Sequence, residues 1–328
     1  MSRLEPQALV VTDLRVEIGA PLVRDVSFTI EPGSAFGLVG ESGSGKSLTS
    51  KAILNLLPRH ARTTGSVRLG EQELLTLGPK AMRAIRGARI SMVFQDPMSA
   101  LNPLLRVGNS IAQVIVSHDR VDKRQALGRA IELMERVGIQ DAARRARSYP
   151  HEFSGGMRQR IVIAMALASK PSVLLADEPT TALDVLVQTE ILQLIDELRR
   201  QDGMSVLLVS HDFAVIAGSC EQVGVMYAGE LVEQGPAEQV LTAPRHPYTA
   251  GLLASHPDGQ PRGTLRPIQG APPEAGQLPV GCAFAARCAH VQPDCRVAPI
   301  SEIPMSPART ARCLHPLHDE SPSLGRSR

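Results

Sequence analysis

Residues 36–49 read Phe-Gly-Leu-Val-Gly-Glu-Ser-Gly-Ser-Gly-Lys-Ser-Leu-Thr, and within them Gly40 to Ser47 spells G-x-x-x-x-G-K-S. A glycine-rich loop of that spacing turns successive backbone N–H groups inward around a phosphate. Both flanks agree. Ala35 to Val39 is a short apolar run suited to a buried strand, and Ser47 to Leu57 is helix-compatible up to Pro58. A helix start adds its positive end to the cradle. Lys46 is expected at the terminal phosphates and the Ser47 hydroxyl on Mg²⁺. The chain has five lysines against thirty arginines, yet a lysine stands here. A compact ammonium fits among backbone amides where a planar guanidinium does not. The bland alternative, a Gly/Ser-rich turn between strand and helix, loses ground once both flanks are counted.

Outward from the loop, strands alternate with helices. Residues 13–18 alternate polar and apolar, and Val26, Phe28 and Ile30 repeat the period of two. Gly65 to Gly70 and Gly87 to Phe94 read as strands, the second running into Gln95. From about 97 the chain turns helical and charged, with Leu127, Ile131 and Met134 marking an expected core face. Ser154-Gly155-Gly156 then opens an apolar helix as an N-cap and a second anion nest. Val173 to Asp177 and Ser205 to Ser210 are apolar strands, separated by an amphipathic helix carrying Val187, Ile191, Leu194, Ile195 and Leu198. This alternation predicts an α/β core with ligands at the carboxyl ends of its strands.

The chemistry-bearing residues stand at those ends. Asp177 is placed to hold Mg²⁺, and Glu178 to polarise a water attacking a γ-phosphate. Gln95 can reach the metal or that water; His211 can contact the γ-phosphate or orient Glu178. Each has a blander reading, a solvated strand end or a structural histidine, and it is their common position that argues for chemistry.

Composition sets the outer limits. With 328 residues, 43% apolar and 21% charged, the chain suits a globular protein of about two domains. A net charge of +2 gives no strongly basic face for nucleic acid. No apolar run approaches the roughly 18–20 residues of a membrane span, and the N-terminus lacks the pattern of a signal peptide. A cytosolic protein is expected, reaching any membrane through partners. Five cysteines in a reducing compartment argue against a disulfide framework.

The order P-loop, Gln95, Ser154-Gly155-Gly156, Asp177-Glu178, Ala182-Leu183-Asp184, His211 resembles the ATP-binding subunits of ABC transporters over roughly residues 8–250. Phe94 to Pro103, Tyr149 to Arg160 and His246-Pro247-Tyr248-Thr249 narrow the resemblance to the oligopeptide/dipeptide importer branch. The resemblance implies an ABC-type P-loop NTPase with a mixed sheet core, an antiparallel β subdomain and a helical subdomain at about 97–165. A small irregular cysteine-rich extension would follow at 251–328. It implies that Gly40, Glu41, Ser42, Gly43, Ser44, Gly45, Lys46 and Ser47 hold ATP, with Ser47, Gln95 and Asp177 at Mg²⁺. Glu178, His211, Gln95 and Lys46 would be catalytic. In a dimer, Ser154, Gly155, Gly156, Met157 and Asp184 would close over the partner's ATP. Phe153 and Met157 replace the ends of the general Leu-Ser-Gly-Gly-Gln signature, as is usual in this branch. Ile18 departs from the pattern, standing where an aromatic usually stacks on adenine. The implied partners are a second ABC ATPase (usually a related chain in this branch), two transmembrane permease subunits and an external substrate-binding protein, with no nucleic acid. The place implied is the cytoplasmic side of the membrane.

Cys282, Cys288, Cys295 and Cys313 resemble the cysteine positions of the extension in peptide-importer ATPases, where some members bind [4Fe–4S]. Ala283 stands where proline often follows the first. The spacing is not that of a paired C-x2-C zinc ribbon, and an iron–sulfur cluster, a Cys₄ zinc site and four unliganded thiols all stay open. Cys220 lies outside the motif as an ordinary buried thiol. Nickel-complex and glutathione-like cargoes stay open beside peptides. A soluble ABC-type ATPase acting on ribosomes or DNA is the rival from another class; one cassette per chain and a compact insertion argue against it.

Overall fold

Alternating side chains send the central strands into two cores at once. In the computed structural model, which describes residues 7–181, 183–255 and 267–318, Phe36 and Leu38 pack into one core while Ala35 and Val39 pack into the other. A strand buried on both faces reads as a continuous apolar run, which is how Ala35 to Val39 and Ser205 to Ser210 read.

The first half of the chain runs β1 (Leu9–Ile18), β2 (Ala20–Ile30), β3 (Ala35–Val39), α1 (Lys46–Ile53), β4 (Arg62–Leu69), β5 (Gln72–Glu73), α2 (Pro79–Ile85) and β6 (Ile90–Val93). The helical stretch follows as α3 (Pro97–Ala100), α4 (Val107–His118), α5 (Lys123–Arg136), α6 (Ala142–Arg145) and α7 (Gly155–Leu167). Then come β7 (Val173–Asp177), α8 (Val185–Asp202), β8 (Ser205–Ser210), α9 (Phe213–Ser219), β9 (Gln222–Tyr227), β10 (Glu230–Pro236), α10 (Ala237–Thr242) and α11 (Pro247–Ala254). β11 (Ile303–Ser306) and β12 (Arg309–Ala311) close the described chain.

The strands form an antiparallel sheet in the order β2-β1-β4-β5 and a second sheet in the order β11-β12-β10-β9-β3-β8-β7-β6. β3 pairs in parallel with both β8 and β9, and β7 with β6 and β8, so the carboxyl ends of β3, β6, β7 and β8 share one edge of the sheet. The loops after those four ends carry Gly40, Gln95, Glu178 and His211. This is the crevice where open α/β sheets bind ligands.

Three expectations change. α1 ends at Ile53, short of Leu57, because Asn55 turns left-handed at φ 50°. The Asn55 and Leu56 N–H groups then return to the Ala52 and Lys51 carbonyls, a Schellman stop that needs no proline. α5 buries Ala126, Ala130 and Met134, whereas Leu127 of the expected core face is 37% exposed. Small side chains face inward, so the neighbouring helices can approach closely. The third change concerns the tail. Its β11 and β12 extend the main sheet through the pairing of Glu233 with Ala311 and Gln234 with Thr310. Phe284 enters the principal core, packing edge-on against Tyr227 and Tyr248. An extension that looked irregular shares both sheet and core with the residues before 250. Among the described residues no helix is long and apolar enough to cross a membrane.

Candidate functional site

The phosphate loop joins β3 to α1 through glycines that nothing else could replace at two points. Gly40 has φ 152°, and a Cβ there would lie 2.2 Å from the Met226 carbonyl oxygen. Gly45 turns at φ 107° to start α1. Lys46 Nζ, buried, donates to the Gly40 carbonyl at 2.7 Å and the Glu41 carbonyl at 3.0 Å. Burial holds its pKa below the usual lysine value, against the opposing pull of Glu178, Asp177 and Glu41. The ammonium is thus held at the centre of the loop.

Ser47 and Asp177 meet. The Ser47 hydroxyl donates to Asp177 Oδ1 at 2.8 Å, across 130 residues of sequence. Burial pushes the Asp177 carboxyl up from its ordinary range, with the Ser47 hydrogen bond opposing. A hard oxygen pair beside a phosphate cradle, one member a carboxylate that burial makes costly to ionise alone, is a donor set that suits Mg²⁺. These residues fit the ion.

Glu178 is the hub of the site. Its Oε2 accepts from Gln95 Nε2 at 3.0 Å and from the Thr181 hydroxyl at 2.9 Å, and His211 Nδ1 lies 3.6 Å away. Its backbone is left-handed at φ 48°, stabilised by its N–H donating to the Val209 carbonyl at 3.0 Å. A non-glycine residue in that region stores strain, and here the strain aims the carboxylate off the strand end. The structure brings Gln95, Glu178 and His211 together around one oxygen. Gln95 is engaged with Glu178, and no described hydrogen bond joins it to Ser47 or Asp177.

The second nest lies elsewhere in the fold. Ser154 caps α7, accepting from the Met157 N–H at 3.4 Å, and is exposed with Gly155. Gly155 faces Leu183 and Gly156 faces Val187, where a Cβ would come within 2.6 Å of the Val187 side chain. Asp184 caps α8 through the Val187 N–H at 3.0 Å. No described hydrogen bond or ion pair joins Ser154 to Met157 with Gly40 to Ser47. Ala182 of the expected D-loop lies outside the described residues. Ile18 is half-buried at the end of β1, paired with Ala20 across Gly19.

In the tail, Cys282, Cys288, Cys295 and Cys313 line one small cavity of about 20 Å³ together with His246. Gly281 allows this: a Cβ there would sit 2.2 Å from the Cys295 carbonyl oxygen, which accepts the Cys282 N–H at 2.8 Å. Burial raises the thiols of Cys282 and Cys288 and pushes Cys313 up to about 11. His246 Nδ1 accepts from the Tyr248 N–H at 3.0 Å, so Nε2 carries the proton. That Nε2 faces the Arg312 carbonyl without a well-directed hydrogen bond, and burial lowers the imidazole to about 4.

The comparisons with known proteins agree with this geometry. The ABC transporter family matches residues 23–181, and the oligopeptide/dipeptide transporter C-terminal region matches residues 232–295. The oligopeptide transport ATP-binding protein OppD of Salmonella typhimurium is 43% identical over 317 residues, covering 95% of this chain and 94% of that protein. The chain belongs to the ABC transporter family, in its oligopeptide/dipeptide branch. The dipeptide transport ATP-binding protein DppD of Bacillus subtilis is 47% identical over 89% of this chain and 88% of its own length. Among solved structures, a dimeric ATP-binding cassette, MJ0796, in a post-hydrolysis state with ADP and Pi, aligns at TM-score 0.62 and 28% identity. It covers 70% of this chain and 98% of its own. As a family member, the protein is an ATPase whose hydrolysis is coupled to transport.

Three residues of this ABC protein escape the sequence reading. Thr181 joins the Glu178 hub, and only its three-residue spacing from Glu178 could have hinted at it. Tyr248 stands in the His-Pro-Tyr-Thr stretch quoted for the resemblance, yet its hydroxyl accepts the Glu41 N–H at 2.9 Å. Arg287 reaches Glu41 across 246 residues, which no local pattern signals.

Proposed function

We propose that this protein energises a peptide-type importer from the cytoplasmic face of the membrane. It would be bound there to two permease subunits, with an external substrate-binding protein delivering the cargo. The observation that carries the reading is the convergence on Glu178 Oε2 of Gln95, Thr181 and His211, beside the Ser47–Asp177 pair. In this reading Gly40 to Ser47 hold ATP, with Lys46 at the terminal phosphates. Ser47 and Asp177 ligate Mg²⁺, and Gln95 joins them when ATP is bound. Glu178 polarises the attacking water, and His211 orients it or meets the γ-phosphate. Catalysis is then mainly positioning and charge stabilisation.

Ser154, Gly155, Gly156, Met157 and Asp184 close over ATP held by a second ATPase subunit. The exposure of Ser154, Gly155 and Asp184, and the separation of the group from the chain's own loop in the hydrogen-bond pattern, support this. The cassette spans residues 1–250 with its helical part at about 97–165, and the extension begins at 251. Reconstituted with its permeases, the ATPase is expected to accelerate when peptide-loaded binding protein is added. Indifference to the loaded binding protein would count against the peptide reading.

Ile18 lies against adenine in this reading. An aliphatic side chain packs on either purine without aromatic stacking, whose worth is about 0.5–1.5 kcal/mol. MgATP and MgGTP are therefore expected to bind with Kd values less than about tenfold apart. A large preference for ATP in a competition titration would remove Ile18 from this role.

The cysteine cavity fits a bound group, since two buried and two half-buried thiols share it with an imidazole N–H that lacks a well-directed acceptor. A tetrahedral zinc with bonds of about 2.3 Å would draw its sulfurs to about 3.8 Å apart. Among the described residues, the group of potential ligands lying within 4.8 Å of one another is Asp294, Cys295 and His315, not the four cysteines. Four thiols lining one cavity are the ligand set of [4Fe–4S] on Cys282, Cys288, Cys295 and Cys313, and a Cys₄ zinc is the alternative. Such a cluster would serve as a clamp on the tail. Protein purified without oxygen is expected to be brown, with iron and acid-labile sulfide in equal amounts; stoichiometric zinc would favour the Cys₄ zinc reading instead.

A further inference from the structure

Glu41 is an acidic side chain on the phosphate loop itself. It puts a carboxylate next to the loop's lysine, and its charge acts on Lys46. ATP would bring several more negative charges to the same place. The carboxylate is not left alone. Arg287 Nη1 and Nη2 donate to the two Glu41 oxygens at 2.7 and 2.9 Å, a bidentate pair with the arginine side chain only 5% exposed. Arg287 is fixed from the tail side as well. Its Nε donates to the Gln269 carbonyl at 3.0 Å, its backbone N–H to the Phe284 carbonyl at 2.9 Å, and its guanidinium lies 5.7 Å from the Tyr227 ring and 5.9 Å from the Phe284 ring. The next residue is Cys288.

We propose that Arg287 is the countercharge that makes Glu41 compatible with a triphosphate, so that the cysteine tail completes the electrostatics of the nucleotide site. The proposal rests on Gly40 to Ser47 being that site. A guanidinium fork suits the task because it matches both carboxylate oxygens in one plane, whereas a lysine would offer a single point charge. The tail thereby acts on ATP through Glu41 alone, touching no phosphate itself. Arg287 is a positioning residue, and its effect is on binding before it is on chemistry.

The test is calorimetric titration of MgATP into the full chain and its variants. Arg287→Gln leaves Glu41 uncompensated and is expected to weaken MgATP about tenfold, with the defect shrinking as salt is added. Adding Glu41→Gln to that variant removes the repulsion and is expected to restore affinity. Glu41→Gln alone leaves Arg287 as an unpaired cation, so MgATP is expected to bind at least as tightly as to the wild type. A purely structural arginine would lower the melting temperature together with MgATP affinity, and its defect would not shrink with added salt. Arg287→Gln binding within about twofold of wild type, or a double variant as weak as the single, would overturn the proposal. Should Arg287→Gln not fold, Glu41→Gln still decides: a tenfold loss there means the pair shapes the loop and does not neutralise it. Lys46→Ala separates the two levels. If it binds MgATP as the wild type does, the nucleotide sits elsewhere and the reading of the loop falls with the proposal.

Discussion

Glu178→Gln is expected to keep MgATP binding within a few-fold of wild type while kcat falls about 10³-fold, the usual range for losing a positioned general base. The reasons are local. Ser47 and Asp177 form their own pair at 2.8 Å and do not pass through Glu178, so that pair, proposed to hold Mg²⁺, survives. Lys46 is held by the Gly40 and Glu41 carbonyls and also stays in place. What changes is the Oε2 hub. An amide keeps the shape but cannot take a proton from water, and an NH₂ nitrogen in the place of Oε2 accepts from neither Gln95 Nε2 nor the Thr181 hydroxyl. With hydrolysis blocked and binding intact, ATP-bound dimers are expected to accumulate, visible as a shift in size-exclusion elution on adding MgATP. Single-turnover phosphate release gives the chemical step directly. A variant that turns over at more than a third of the wild-type rate would take Glu178 out of the role of base.

The same hub indicates what sequence can and cannot convey. Gln95, Glu178 and His211 were legible because each follows a short apolar run of strand length, and strand ends on one edge of a parallel sheet converge. Thr181 was not, because a threonine in a loop carries no periodicity. The boundaries of β8 followed from composition alone, since β8 is buried on both faces. The face of α5 did not: hydropathy favours Leu127, but helix approach rewards Ala126 and Ala130, and the distance between helices is set by neighbours remote in sequence. β12 is three residues long; its hairpin partner β11 is local, but β10, which joins it to the main sheet, lies far away in the chain, so no local window shows that it extends the sheet. Charge pairs are hidden in the same way. Nothing local to Arg287, Arg309 and Arg312 signals that they pair with Glu41, Glu233 and Glu302 respectively. Charged residues read as exposed unless their partners are known, and these partners lie far off in sequence or across the sheet.

Arg309→Met is expected to cost about 3–5 kcal/mol. Arg309 Nη2 donates to Glu233 Oε1 at 2.6 Å, with the arginine side chain 5% exposed and the glutamate fully buried. The same carboxylate accepts the backbone N–H groups of Arg245 at 2.8 Å and His246 at 3.0 Å. Methionine fills much of the volume but leaves a buried anion with two amide donors and no countercharge. Breaking a buried pair from one side costs more than the pair is worth, because the remaining charge keeps its desolvation penalty. Adding Glu233→Gln to Arg309→Met removes that charge and is expected to recover about 1–2 kcal/mol, with one amide donor still left wanting. Loss of the pair should appear first where it acts, between β10, β12 and the start of α11. Hydrogen exchange is therefore expected to quicken at Arg245, His246 and Thr310 while the amides of β7 and β8 keep their protection. Uniform deprotection across both regions would mean instead that the tail and the main sheet unfold as one unit, with Arg309 supporting all of it.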